Sequence, residues 1–187
     1  MNMTRRSLAA AAFAVASTCG PLALPAAHAA SRDELVYNGR AALQRLDASD
    51  SRSRFYARRA RAVLVFPSVI KAGLVFGGQT GNGVLFVRGR PEAFYNLSGG
   101  SWGLQIGGQS FSYALFFMTA SSLDYLRQSG GFSVGTGPSI VVINRGAGAA
   151  ADTTTLSQDV YAFPFNQKGL MADLTLQGSK ISRINPR

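Results

Sequence analysis

Five arginines within ten consecutive positions are the residues in this sequence whose type and spacing best suit a binding chemistry. They are Arg52, Arg54, Arg58, Arg59 and Arg61. A guanidinium group is planar and can hold a phosphate through two parallel hydrogen bonds, so the cluster favours a phosphate-bearing partner. The sequence between Asp50 and Glu92 contains no carboxylate, and we expect the cluster to lack a local counter-charge. The alternative is a solvated helix face that binds nothing.

Other basic residues could extend this cluster, and one aromatic residue could assist it. Arg40 and Arg45 fall on a predicted first helix, and Lys71 falls on a predicted strand. Trp102 is one of several aromatic residues in predicted strands, which either pack in the core or, for Trp102 first, lie at a lipid interface. The predicted lipid-binding residues are Arg40, Arg45, Arg52, Arg54, Arg58, Arg59, Arg61, Lys71 and Trp102.

A catalytic motif also occurs, but without the partner that it needs. Residues 99–103 satisfy the G-x-S-x-G pattern of hydrolases around Ser101, and that chemistry requires a general-base histidine. The only histidine is His28 and the only cysteine is Cys19, both inside a predicted leader. We therefore predict a non-catalytic protein with no metal site and no cofactor. A hydrolase that depends on Ser101 is the alternative.

Residues 1–29 have the pattern of an export signal. Arg5 and Arg6 form a charged start, residues 8–15 a short apolar core, and residues 27–29 an A-x-A cleavage site. We expect a mature domain over residues 30–187 that is periplasmic and peripherally associated with the membrane. The alternative is a lipoprotein anchored through Cys19, although the residues before Cys19 form a poor lipidation motif.

The charge balance indicates an anionic partner. The sequence has 19 Lys and Arg against 9 Asp and Glu, a net charge of +10, and the predicted leader holds only two of the basic residues. Such an excess attracts either nucleic acid or an anionic membrane surface. Export favours phospholipid and argues against nucleic acid. A structural or protein-interaction domain of the cell envelope, without lipid specificity, is the alternative.

Two helices are predicted before the first strand. Ser31 and Glu34 form a capping box that opens a helix ending between Asp47 and Asp50. A second helix is predicted from Ser51 or Ser53 to about Ala62. In this helix a basic face carries Arg54, Arg58 and Arg61, and the opposite face carries Tyr56, Ala60 and Val63.

From residue 62 onward, short apolar runs separated by glycines predict strands and tight turns. Asn82-Gly83 is the strongest hairpin signal. The glycine-rich segment 77–83 lacks the ending of a phosphate-binding P-loop, so a turn is the better interpretation. A short helix is predicted over residues 120–128, capped by Ser121 or Ser122. Further strands are predicted at about residues 93–97, 103–109, 112–118, 132–143, 160–165 and 170–177.

These elements predict one α+β domain, with a strongly bent antiparallel β-sheet or partial barrel covered by the N-terminal helices and one short internal helix. The glycine-containing segments also form specific sequence motifs. They are FPSVIKAG at 66–73, Gly77-Gly78, Gly81-x-Gly83, S-x-G-x-Q-x-G-x-Q at 101–109, and KGLMA followed by L-x-L-x-GS at 168–179.

In these motifs the sequence resembles the SYLF domain family from about residue 35 to residue 179. The resemblance implies a phospholipid-binding module that is not an enzyme. Eukaryotic relatives are associated with phosphoinositides and with actin, but the actin role does not carry over, since an exported chain would not meet cytosolic actin. The chain has Asp173 where relatives usually have glycine.

Overall fold

The computed structural model describes residues 30–73, 76–102, 107–128, 132–135, 137–143, 158–168 and 178–187. The predicted leader, Cys19 and the predicted strand at 170–177 lie outside these ranges. Within them the helices are α1 (Arg32–Ser49), α2 (Ser51–Arg59) and α3 (Ala120–Gln128). The strands are β1 (Ala62–Gly73), β2 (Phe76–Val87), β3 (Arg90–Trp102), β4 (Gly107–Phe117), β5 (Phe132–Ser133), β6 (Ile140–Val142), β7 (Val160–Lys168) and β8 (Ser179–Ile184).

The helices begin at side-chain caps. The Ser31 hydroxyl accepts a hydrogen bond from the Glu34 amide at 3.3 Å, as the capping box predicts. Asp50 caps α2 by accepting from the Arg52 amide at 3.0 Å. The predicted range of α3 is confirmed, but its predicted cap is wrong, because the Thr119 hydroxyl accepts from the Ser122 amide at 3.2 Å and neither predicted serine is the cap.

One curled eight-stranded sheet, a half-barrel in shape, holds the domain together, and the predicted α+β fold is confirmed. The strand order is β5-β8-β3-β2-β1-β4-β7-β6. Among the described strands every pairing is antiparallel except that of β6 with β7, which is parallel. The start of α1 also meets the residues that follow β8, since the Arg32 amide donates to the Arg187 carbonyl at 3.2 Å.

Each face of the sheet carries its own core, because successive side chains of a strand point to opposite faces. On one face Leu64 and Phe66 pack with residues of α3, including Leu123 and Leu126. On the other face Val65 packs with residues of α1 and α2. In α1 the buried positions are Leu35, Gly39, Ala42 and Leu46, the spacing of a single helix face.

Asn82-Gly83 does not form a hairpin turn, so that prediction is wrong. Both residues lie inside β2, opposite an irregularity in β1 between Val65 and Ile70. A Cβ atom on Gly83 would lie 2.5 Å from the Val65 carbonyl oxygen and 2.6 Å from the Phe66 ring. The glycine is therefore needed for close approach of two strands. The chain turns instead at Arg88 and Gly89, between paired residues Val87 and Arg90.

Two other strand predictions differ from the structure. Residues 132–143, predicted as one strand, form β5 and β6, which lie at opposite edges of the sheet. Gly135 lies between them with φ of 108°, a conformation that interrupts a strand. β8 is absent from the predicted elements, although it pairs with β3 over residues 94–99.

Candidate functional site

A groove of about 270 Å³ lies where α1, α2, the start of β1 and the β2–β3 turn meet. We call it the arginine groove. Three arginine residues line it, each from a different part of the chain, and all three are exposed. The lining residues are Arg40, Leu43, Ala57, Ala60, Arg61, Ala62, Val63, Phe86, Arg88 and Gly89.

Packing of the backbone positions the first two arginines. Arg40 follows Gly39, where α1 lies so close to β2 that a Cβ atom would come within 2.5 Å of Val84. Arg61 lies between the end of α2 and the start of β1, and its amide donates to the Phe117 carbonyl at 2.7 Å. The arginine spacing along the sequence therefore does not determine the site. The contact of α1 with β2 and the hydrogen bond of residue 61 to Phe117 determine it.

The third arginine occupies an unfavourable backbone conformation. Arg88 has φ of 49° and Gly89 has φ of 76°, so both central residues of this two-residue turn are left-handed. Such turns favour Asn or Gly at the first position, because other side chains are strained at positive φ. The chain nevertheless places an arginine there, and this residue lines the groove.

The floor of the arginine groove is apolar. Leu43, Val63 and Phe86 line it together with three alanines. Among its described lining residues none is acidic, so the three guanidinium groups meet no counter-charge from the groove itself. A site of this kind matches a ligand that carries an anionic group on an apolar body.

The predicted arginine cluster divides into three parts. Arg61 belongs to the arginine groove but lies beyond the end of α2, so the predicted helical stack of Arg54, Arg58 and Arg61 stops at Arg58. Arg54 and Arg58 are exposed on α2. The Arg59 guanidinium lies 3.7 Å from the centre of the Phe55 ring and donates to the Phe55 carbonyl at 3.3 Å.

Arg52 has a counter-charge, and the expectation of an unpaired cluster is wrong for this residue. Its guanidinium donates to both carboxylate oxygens of Asp50, with the shorter contact from Nη2 at 2.7 Å. The hydrogen bond to Asp50 raises the pKa of Arg52. The pair links the cap of α2 to its first turn, which gives Arg52 a part in positioning the helix.

The remaining predicted basic residues lie apart from the groove lining. Arg45 is exposed on α1. Lys71 is only 3% exposed and is not part of the basic surface. It pairs across the sheet with Gln79 of β2 and Gln109 of β4, both also buried. Next along this row, the Gln79 amide nitrogen donates to the Ser179 hydroxyl at 2.6 Å.

The predicted lipid-binding residue Trp102 and the candidate nucleophile Ser101 both lie at the end of β3. The backbone of Trp102 pairs with Phe76, and its side chain lies outside the described part of the structure. The backbone of Ser101 lies within β3, whereas a hydrolase nucleophile would need a turn between a strand and a helix.

Sequence reasoning missed Arg88. The signal that could have found it is Arg88-Gly89-Arg90, two arginines around a turn glycine. The site therefore shares Arg40 and Arg61 with the predicted set and adds Arg88 to them.

Residues 98–185 match a family model described as "Ysc84: Las17-binding protein actin regulator". The match covers the end of β3 through β8, whereas the arginine groove lies in residues 40–89, before the match begins. No curated protein matches the chain significantly. Among the helices of the described ranges, none is long and apolar enough to cross a membrane.

Proposed function

Because residues 98–185 belong to the SYLF, or Ysc84, family of binding modules, we propose that this protein binds anionic phospholipids at a membrane surface without catalysing a reaction. The observation that carries this proposal is the arginine groove, which three arginine residues line together with apolar residues. A lipid headgroup beside its acyl chains presents the same combination of an anionic group and an apolar body.

The charges support reversible binding at the surface. Each basic residue near an anionic membrane contributes about 1 kcal/mol of binding free energy. Arg40, Arg61 and Arg88 supply three such charges at one place, and the exposed Arg45, Arg54 and Arg58 add attraction at longer range. Arg52 and Lys71 are left out of the proposed site, since Asp50 pairs with the first and the core buries the second.

Location bears on the choice of partner. The family description names a Las17-binding actin regulator. Residues 1–29 have the pattern of an export signal, and an exported protein would meet membrane lipid where it would not meet actin. The proposal therefore places this protein in the periplasm, held peripherally on the membrane, or anchored there if Cys19 is lipid-modified.

Vesicle co-sedimentation across a salt series tests the proposal. We expect the purified protein to bind vesicles that contain phosphatidylglycerol and not vesicles of phosphatidylcholine alone. Binding should weaken as salt rises, because the Debye length falls from about 10 Å at 0.1 M to about 3 Å at 1 M.

Absence of binding to both kinds of vesicle would contradict the lipid proposal and favour an envelope protein as the partner. Esterase activity that disappears in Ser101→Ala would contradict the non-catalytic part of the proposal.

A further inference from the structure

We propose that the outward face of α1 is an interface at which two copies of this chain pair, with their α1 helices antiparallel about a two-fold axis. The face, which we call the α1 face, consists of Glu34, Tyr37, Ala41, Arg45 and Ala48. These positions recur at intervals of three and four residues, so their side chains lie along one side of the helix. The proposal goes beyond lipid binding, and the face is separate from the lining of the arginine groove.

Tyr37 is the aromatic residue of this face. Its side chain is 74% exposed, more than any other large hydrophobic side chain in the described part of the chain. The buried positions of α1 run from Leu35 to Leu46 along one side, and at about 100° per residue Tyr37 points away from them. Packing on the sheet therefore gives no reason for an aromatic side chain here. Tyrosine is enriched at the centres of protein interfaces, where its ring is covered by the partner.

Small residues flank Tyr37 along the same face. Ala41 lies one turn after it and is half-buried, and Ala48 lies two turns further and is exposed. The distance between two packed helices depends on the size of the side chains at the contact, and alanine permits a close approach. In an antiparallel pair, Tyr37 of one copy then lies beside Ala41 of the other.

The charges make the α1 face complementary to itself. Glu34 and Arg45 are both exposed, and because eleven residues make about three helical turns, they project to the same side about 16 Å apart along the axis. No ion pair within the described ranges includes either residue. Neither has an opposite charge three or four positions away in the helix. With the two-fold axis between residues 39 and 40, Glu34 of each copy lies opposite Arg45 of the other.

The charges also favour a second copy over a membrane as the occupant of this face. Asp33 and Glu34 lie beside Tyr37, and an anionic surface would repel them. A two-fold interface uses the same patch on both subunits, so one self-complementary helix supplies both halves. The arginine groove stays open in this arrangement, since the groove residues of α1, Arg40 and Leu43, lie on its other flank.

Sedimentation velocity of the purified protein without lipid tests the pairing. Two α1 helices bury less than the roughly 1,600 Å² of a standard interface, so we expect a weak dimer with a dissociation constant of about 10–100 μM. The sedimentation coefficient should rise with concentration across this range. A protein that stays monomeric at about 500 μM would overturn the proposal. Because no lipid is present, the result does not depend on the proposed function.

Charge reversal then tests the arrangement of the helices. Glu34→Arg and Arg45→Glu each place like charges opposite one another in the pair, and each variant alone should dimerise at least about tenfold more weakly. An equimolar mixture of the two variants, or one chain that carries both substitutions, restores opposite charges at both contacts and should dimerise as the parent does. Singles that dimerise as the parent does, or a mixture that remains monomeric, would overturn the antiparallel pairing. Circular dichroism of each variant checks that the helices are intact.

A matched pair of variants tests the aromatic contact. Tyr37→Ala should abolish the dimer while the melting temperature stays near that of the parent, because the side chain is exposed. Ile70→Thr changes another exposed hydrophobic residue, in β1 and not in α1, keeps a β-branched side chain and should leave the dimer unchanged. A dimer that survives Tyr37→Ala, or one that Ile70→Thr weakens equally, would contradict the assignment of the α1 face.

Discussion

At the scale of single residues, some strand glycines are required by packing and others are not, and the sequence alone does not distinguish the two kinds. Gly83 lies where β2 crosses the irregularity of β1, and any side chain there would meet backbone and ring atoms. Gly100 lies in β3 with nothing within 4 Å of an added Cβ atom. The first glycine is therefore required by packing, while the second is not required by the described contacts.

Alanine substitutions should separate these two glycines. Gly83→Ala places a Cβ atom 2.5 Å from the Val65 carbonyl oxygen, and we expect overpacking to lower the free energy of unfolding by about 1–3 kcal/mol. Gly100→Ala should be neutral or stabilising by up to about 1 kcal/mol, because alanine loses less backbone entropy on folding. Urea denaturation of both variants measures the difference, and equal stabilities would refute the packing argument.

At the scale of secondary-structure elements, the arginine groove exists only because α1, α2 and the β2–β3 turn converge. Tyr56 holds α2 in this arrangement. The centroid of its ring lies 4.6 Å from the ring centroid of Tyr161 and 5.3 Å from that of Phe163. The exposed arginines of α1 and α2 outside the groove depend on no such convergence. The two sets of arginines can therefore be compared directly.

Two triple variants with the same loss of charge make this comparison. Replacing Arg40, Arg61 and Arg88 by glutamine should lower affinity for anionic vesicles at least about tenfold, because the groove donors are removed. Replacing Arg45, Arg54 and Arg58 by glutamine should lower it by less than about threefold at 0.15 M salt, because these residues do not line the groove and act only at longer range, where salt screens their charge. Both variants should keep the circular dichroism of the parent. Equal losses of affinity in the two variants would contradict a site in the groove. They would indicate a diffuse basic surface instead.

The buried polar row joins β2 to β8 across β3 and offers a second test at this scale. Ser179→Ala removes the hydroxyl that accepts from the Gln79 amide, and leaving that buried donor unsatisfied should cost about 1–3 kcal/mol of unfolding free energy. Ser182→Ala, in the same strand but only partly buried, is the control and should change stability by less than about 0.5 kcal/mol. Denaturant midpoints that coincide would show that this hydrogen bond contributes nothing.

At the scale of the whole molecule, stability should fall in alkaline solution. Burial raises the pKa of Tyr56 and of Tyr95 above the ordinary value. A raised folded-state pKa means that the stabilising effect of these groups is fully present below the unfolded-state pKa of about 10 and is lost as pH rises above it. Melting temperatures across pH 8 to 12 measure this loss, and Tyr56→Phe should reduce its steepness. A steepness unchanged from the parent would contradict a role for this phenol.

Local patterns in the sequence predicted the helices well and the sheet only in outline. The capping box at Ser31 depends on residues within three positions of each other, and this prediction is confirmed. The order of the strands depends on pairings between distant segments, such as β1 with β4 and β3 with β8, which no local period reveals. The burial of Lys71 could not be predicted for the same reason, because it follows from the register of β1 with two neighbouring strands.

The candidate site was predicted in part for the same reason. The arginine cluster predicted Arg61 as a site residue, and the position of Arg40 on the first helix predicted that residue. Arg88 lines the same groove only because the β2–β3 turn lies beside α2. The Asn82-Gly83 signal suggested a turn six residues too early. The strong local preference of Asn-Gly for a turn was outweighed by the close packing of β1 on β2.

The hydrogen bond between the Arg32 amide and the Arg187 carbonyl has a practical consequence for handling this protein. Because residues 32 and 187 lie side by side, a fluorophore, a fusion partner or a surface tether attached at either position leaves the domain from the same point. Immobilisation through residue 32 should therefore present the same side of the molecule as immobilisation through residue 187.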